Sequence, residues 1–159
     1  MSERIQALKT QLAETREYLN KVLDAVGDRW QAPVYTEGLE WTVQQALNHL
    51  ADSDRGHNLQ AMSIANGRDL IPEDFDIERY NRGMTRKTAE KTVEEARIDL
   101  ADAHRKLLKW LDTLNDSALD MKGRHATLRI MTVEELLLFQ SMHVRGLVDD
   151  IAKSLDIDV

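Results

Sequence analysis

The 159-residue chain has no cysteine, only two prolines and seven glycines. Without thiols it can make no disulfide, no cysteine-ligated zinc site and no cysteine nucleophile, so any metal must be held by His, Asp or Glu. The longest unbroken apolar run is Leu136–Phe139, far short of the roughly 20 residues of a membrane-spanning helix. No membrane partner is therefore expected. An excess of basic residues is also lacking: 21 Lys and Arg stand against 28 Asp and Glu, a net charge of −7, which argues against nucleic acid as a partner. A Gly-rich phosphate loop, a Gly-x-Ser-x-Gly elbow and a His-Glu-x-x-His helix are all missing, and with them the usual signatures of those enzyme classes. The first residues run straight into an amphipathic pattern with no signal-like apolar stretch, so the expected location is cytoplasmic.

With so few breakers, long periodic segments remain. Ile5, Leu8, Leu12, Thr15, Leu19, Val22 and Val26 recur at spacings of three and four, as on the buried seam of a helix. Comparable seams start at Val43, Val93 and Val133. The pattern predicts four helices near 3–26, 42–66, 92–115 and 132–155, with Gly27 and Gly67 as stops. Three of them open on one phrase, Thr42-Val43-Gln44-Gln45, Thr92-Val93-Glu94-Glu95 and Thr132-Val133-Glu134-Glu135. Each reads as a capping box, with Trp41 and Met131 placed as hydrophobic staples. No segment reads as a convincing strand. The expected fold is all-α, a single four-helix-bundle domain over residues 1–159.

The segment 67–91 is too long for an ordinary bundle turn. It can traverse the length of a neighbouring helix, so the second and third long helices are expected to run parallel, joined by a crossover that Phe75, Ile77 and Tyr80 pin to the bundle. Trp30, Trp41 and Trp110 read as core or staple residues, and the run 86–91 as a solvated approach to the next helix.

Five histidines carry the possible chemistry. His49 and His143 lie on the edges of two apolar stripes, where they could share a metal across the core or simply be hydrogen-bonded boundary residues. His57, one turn after Asp54, reads as a buried His–Asp pair, His104 as a satisfied interior histidine and His125 as a solvated loop residue.

The combination of Trp41-Thr42-Val43 with Asn48-His49-Leu50-Ala51, the crossover stretch Asp76-Ile77-Glu78-Arg79-Tyr80-Asn81, the run Ala103-His104-Arg105-Lys106-Leu107-Leu108 and a late helix bearing His143 resembles the DinB-like superfamily of four-helix bundles, which includes YfiT-like and mycothiol-dependent isomerase proteins. The resemblance implies the crossover bundle, frequent homodimers and, in many members, a divalent metal such as nickel or zinc on three histidines. Position by position, those ligands fall on His49, Phe139 and His143. Phe139 cannot ligate, leaving Asp54, His57 or Asp150 as substitutes. Two functions follow from this: a small-molecule or protein-interaction bundle with a degenerate metal site, or a metal-dependent thiol transferase or isomerase using His49 and His143. Leu138 and Phe139, outside the main seam, are the expected surface for a homodimer.

Overall fold

The structure, a computed structural model, describes residues 2–159. Four long helices dominate: α1 (Glu3–Asp24), α2 (Val43–Ala65), α4 (Val93–Leu111) and α6 (Val133–Ser154). A three-turn helix α3 (Ile77–Lys87) lies in the crossover, and a single turn α5 (Asp116–Leu119) follows α4. The predicted third helix ends four residues early because the Asn115 side chain accepts from the Ala118 backbone N–H and starts α5.

Side-chain pairs fix the helix directions. Arg4 pairs with Glu134, Thr15 with Ser141 and Tyr18 with Asp149, so α1 and α6 run parallel. Gln44 donates to the Lys91 carbonyl and Asn58 to that of Ala103, so α2 and α4 are parallel, as the long crossover requires. Arg97–Asp24 and Lys9–Asp112 set α1 against α4 antiparallel, and the pairs His49–His143 and Asp54–Gln140 do the same for α2 and α6.

Two short hairpins, not expected from the sequence, precede α2 and α6. β1 (Pro33–Thr36) pairs with β2 (Leu39–Thr42), and β3 (Lys122–Arg124) with β4 (Ile130–Thr132). With only three or four residues per strand they are too short for alternation to show. Each hands its chain directly into a long helix, because the last strand residue is also the N-cap. Thr42 and Thr132 keep extended backbone angles while accepting from the N–H groups of Gln45 and Glu135, and both capping boxes are complete. Such caps contribute about 1 kcal/mol each.

The core has two apolar parts. One gathers Leu19, Leu47, Leu50, Leu100 and Leu147, and the other Ile5, Ile64, Leu107, Leu111 and Leu136. Trp30 and Trp41 pack against the first and Trp110 against the second. Between them lies a polar layer in which Asp54 accepts from Arg16 at 2.9 Å and from Gln140 at 2.7 Å. Of the residues expected to pin the crossover, Phe75 and Ile77 are half-buried and Tyr80 is 41% exposed. Ile71 is the residue that is buried, and its carbonyl accepts from Arg124 at 3.0 Å.

Gly123 in β3 lies flat against α2. A Cβ there would fall 2.4 Å from Ile64 Cγ1 and 2.8 Å from its Cδ1. Ile64 is β-branched and buried, so it cannot swing away freely. Gly123→Ala is expected to destabilise by about 1–3 kcal/mol, measured by urea unfolding. Adding Ile64→Ala should recover part of that loss relative to Ile64→Ala alone, and additive effects of the two changes would show that the clash is not the cause.

Candidate metal centre

A two-residue loop, Glu37-Gly38, joins β1 to β2, with φ of 53° and 77°. Two successive positive φ values are what a type I′ hairpin turn requires. Gly38 adopts its value freely, whereas Glu37, with a Cβ, is held there at a cost of roughly 1 kcal/mol. The turn projects the Glu37 carboxylate between α2 and α6. Its Oε1 accepts a short hydrogen bond from His143 Nε2, and its Oε2 lies 3.1 Å from His49 Nε2.

The two imidazoles stand 5.7 Å apart, centre to centre, at 73°. One ligand atom from each of Glu37, His49 and His143 falls within 4.8 Å of the others. His49 Nε2 is buried and has no hydrogen bond of acceptable geometry despite the nearby carboxylate. Burial works against ionisation of Glu37, but the hydrogen bond with His143 and the closeness of both imidazoles outweigh it, and the carboxyl is held well below its ordinary range.

These residues border a cavity of about 410 Å³ between α2, α6, the second hairpin and the crossover. Leu59, Leu70, Ile71, Phe75, Ile77 and Phe139 give it mainly apolar walls. Asp52 supplies a second carboxylate, which accepts from Tyr80 Oη at 3.3 Å.

Beside the carboxylate–histidine group lies a second imidazole pair. His57 and His125 have near-parallel rings 5.0 Å apart and a 2.9 Å contact between their Nε2 atoms. The Thr127 backbone N–H donates to His125 Nδ1 at 3.1 Å, so the proton of His125 is on Nε2 and is donated to His57 Nε2. His57 then carries its own proton on Nδ1, which faces Ser53 Oγ at 3.5 Å. Every ring nitrogen of the pair is engaged. Both are neutral: burial above all, with the cost of a second positive charge beside His143 and His125, pushes His57 down to about 3, and burial, with His143 and Arg129, pushes His125 down to about 4. As arranged, the pair latches the second hairpin to α2 and offers no free base to the cavity.

The structure therefore brings His49 and His143 together and corrects the expected substitutes. Asp54 is turned away, held by Arg16 and Gln140, and makes no pair with His57. Asp150 accepts from Thr36 Oγ1 at 2.7 Å. His57 lines the cavity but is committed to His125. His125 is not solvated but 2% exposed. His104 is half-buried with no hydrogen-bond partner for Nδ1 among the described residues, not a satisfied core residue. Phe139 is half-buried, its ring 4.7 Å from that of His125 and 6.0 Å from that of His57, while its neighbour Leu138 is exposed.

Glu37 was missed altogether. Its signal was present, a loop ending in glycine between Val34-Tyr35-Thr36 and Leu39-Glu40-Trp41, which is a hairpin pattern. That pattern marks a turn but not the helices against which it closes.

The depressed histidines make stability depend on pH. Burial, and then Arg16, lower His104 to about 4 as well. As pH falls below about 6.5 the unfolded chain takes up protons that the folded chain refuses, so stability present at neutral pH is lost. With chelator present, the urea midpoint should be flat above pH 7 and fall between pH 6.5 and 4, less steeply in His104→Gln. A constant midpoint over that range would contradict neutral burial.

The sequence model of the DinB superfamily matches residues 11–145. Comparison with curated proteins gives no match. Among solved structures, YfiT from Bacillus subtilis, described as a probable metal-dependent hydrolase with an unusual four-helix bundle topology, superposes with a TM-score of 0.76 over 97% of this chain and 87% of that one. At 20% identity this is a likeness of fold. The family match spans most of the crossover bundle, from α1 into α6, and on that ground the chain belongs to the DinB superfamily.

Proposed function

We propose that the protein is a divalent-metal-dependent enzyme acting on a largely apolar small molecule, with the ion held by Glu37, His49 and His143. The observation that carries this is the convergence of one carboxylate and two imidazoles at the edge of the cavity, together with the buried His49 Nε2 that the protein leaves without a good hydrogen bond. Two nitrogens and one oxygen suit zinc, nickel or iron better than calcium or magnesium. The residues present thus fit a metal, and Glu37 takes the place left vacant by Phe139. A bound ion would supply Lewis-acid polarisation of a substrate or water oxygen. The protein's own part is to exclude water with the apolar walls and to keep His57 and His125 uncharged beside the cationic centre. The description of YfiT as a probable metal-dependent hydrolase supports hydrolysis or a related group transfer.

Phe139 favours a second reading, a binding bundle whose metal site has been lost, and metal titration separates the two. Protein purified without an affinity tag should bind zinc or nickel at one site by calorimetry. Glu37→Gln should weaken binding by about 100-fold, while Glu37→Gln with Phe139→His should regain much of the loss by placing a histidine one turn before His143. Absence of binding in the parent chain would decide for the degenerate bundle.

A further inference from the structure

Glu37 and Asn81 border two chambers of opposite character. The first is the apolar cavity described above, lined by no Lys or Arg. The second is a groove of about 810 Å³ between the first hairpin and α3, walled by Trp41 and Leu39 on one side and by Glu78, Arg82, Thr85 and Arg86 on the other.

α3 has no buried residue, so its sequence is not explained by a core-facing stripe. Its two sides are instead divided between the chambers. Ile77, Tyr80 and Asn81 line the cavity, while positions 78, 82, 85 and 86, at the spacings of one helical face, line the groove. Arg82 and Arg86 are i, i+4 neighbours about 6 Å apart along the axis. Among the described residues neither makes an ion pair; exposed Arg79, Lys87 and Lys109 are likewise unpaired, and what distinguishes Arg82 and Arg86 is that both line one groove. Even Glu78, one turn before Arg82, does not reach it. Two guanidiniums lining the same groove, which opens beside Glu37, suit a carboxylate or phosphate.

We infer that Arg82 and Arg86 form a binding subsite for an anionic group, a carboxylate or phosphate, of a substrate whose reacting end reaches Glu37, His49 and His143. This rests on the reading of those three residues as the reactive centre. It adds a charged end to the substrate class: the ligand is anionic at the α3 groove, while the apolar cavity on the other side of Glu37 takes an uncharged portion or a second, uncharged reactant.

The test uses succinate and inorganic phosphate as probes, titrated into the full chain at constant ionic strength and followed by calorimetry and by fluorescence of Trp41, with Trp30 and Trp110 replaced by Phe. Each titration is run with chelator and again with zinc. Binding of at least one probe is expected with chelator present and in Glu37→Gln, so loss of the metal reading would leave this result legible. Arg82→Gln with Arg86→Gln should weaken that binding by about 10-fold or more, in line with the loss of charge-assisted hydrogen bonds. Glu78→Gln should tighten it about 2–3-fold by removing a like charge. Circular dichroism checks that α3 persists, and the Glu78→Gln arm keeps the test decisive if the double variant loses the helix. The inference is overturned if neither probe binds, if binding appears only with zinc and ignores both arginines, or if Glu78→Gln leaves it unchanged.

Discussion

The buried carboxylate of Asp54 sets the register on which the rest of the bundle depends. It is 1% exposed and receives Arg16 from α1 and Gln140 from α6, while Gln140 also donates to Asn58, which reaches the Ala103 carbonyl in α4. All four long helices are thereby tied to one level of the core. Such a layer need add little net stability, since the desolvation of a buried pair offsets much of its attraction. Its effect is selective: sliding one helix by a turn would strand a buried charge, at a cost of several kcal/mol. With α2 and α6 fixed against each other at Asp54 and Gln140, His49 and His143 meet.

The hairpins complete what the helices begin. Because Thr42 and Thr132 end a strand and cap a helix with the same residue, neither hairpin has a linker in which to wander. The first holds Glu37 between α2 and α6, and the second buries His125 against His57. The strained backbone of Glu37 fits this arrangement. An asparagine or glycine would make the turn more readily, but neither would carry a carboxylate to the two imidazoles. A residue tolerated at a local cost, with its side chain bonded to His143, marks a site that the surrounding structure holds in place.

The helix position one turn before His143 is given to packing against the His57–His125 pair, which makes that wall of the cavity apolar. The third polar side chain of the cluster comes from a loop remote in sequence. The centre thereby draws its three side chains from a hairpin, α2 and α6, and through Glu37 it also borders the groove beneath α3.

What the sequence determined by itself was local and periodic. The seams beginning at Ile5, Val43, Val93 and Val133, the Thr caps at 42, 92 and 132 and the length of the 67–91 crossover were enough for the helices, their approximate limits and the parallel run of α2 and α4. They also placed His49 and His143 at stripe edges. These features depend on a few neighbouring residues and on chain reach, so one chain displays them directly. Tertiary structure decided which polar groups meet. Asp54 lay one turn from His57 yet bonded to Arg16, across the bundle. His125, expected to be solvated in its loop, is buried there, and Glu37, a turn residue with no periodic signature, became the partner of two histidines. The reason is physical: a side chain's partner is set by the register and rotation of several packed elements together, and no spacing along a single element records them.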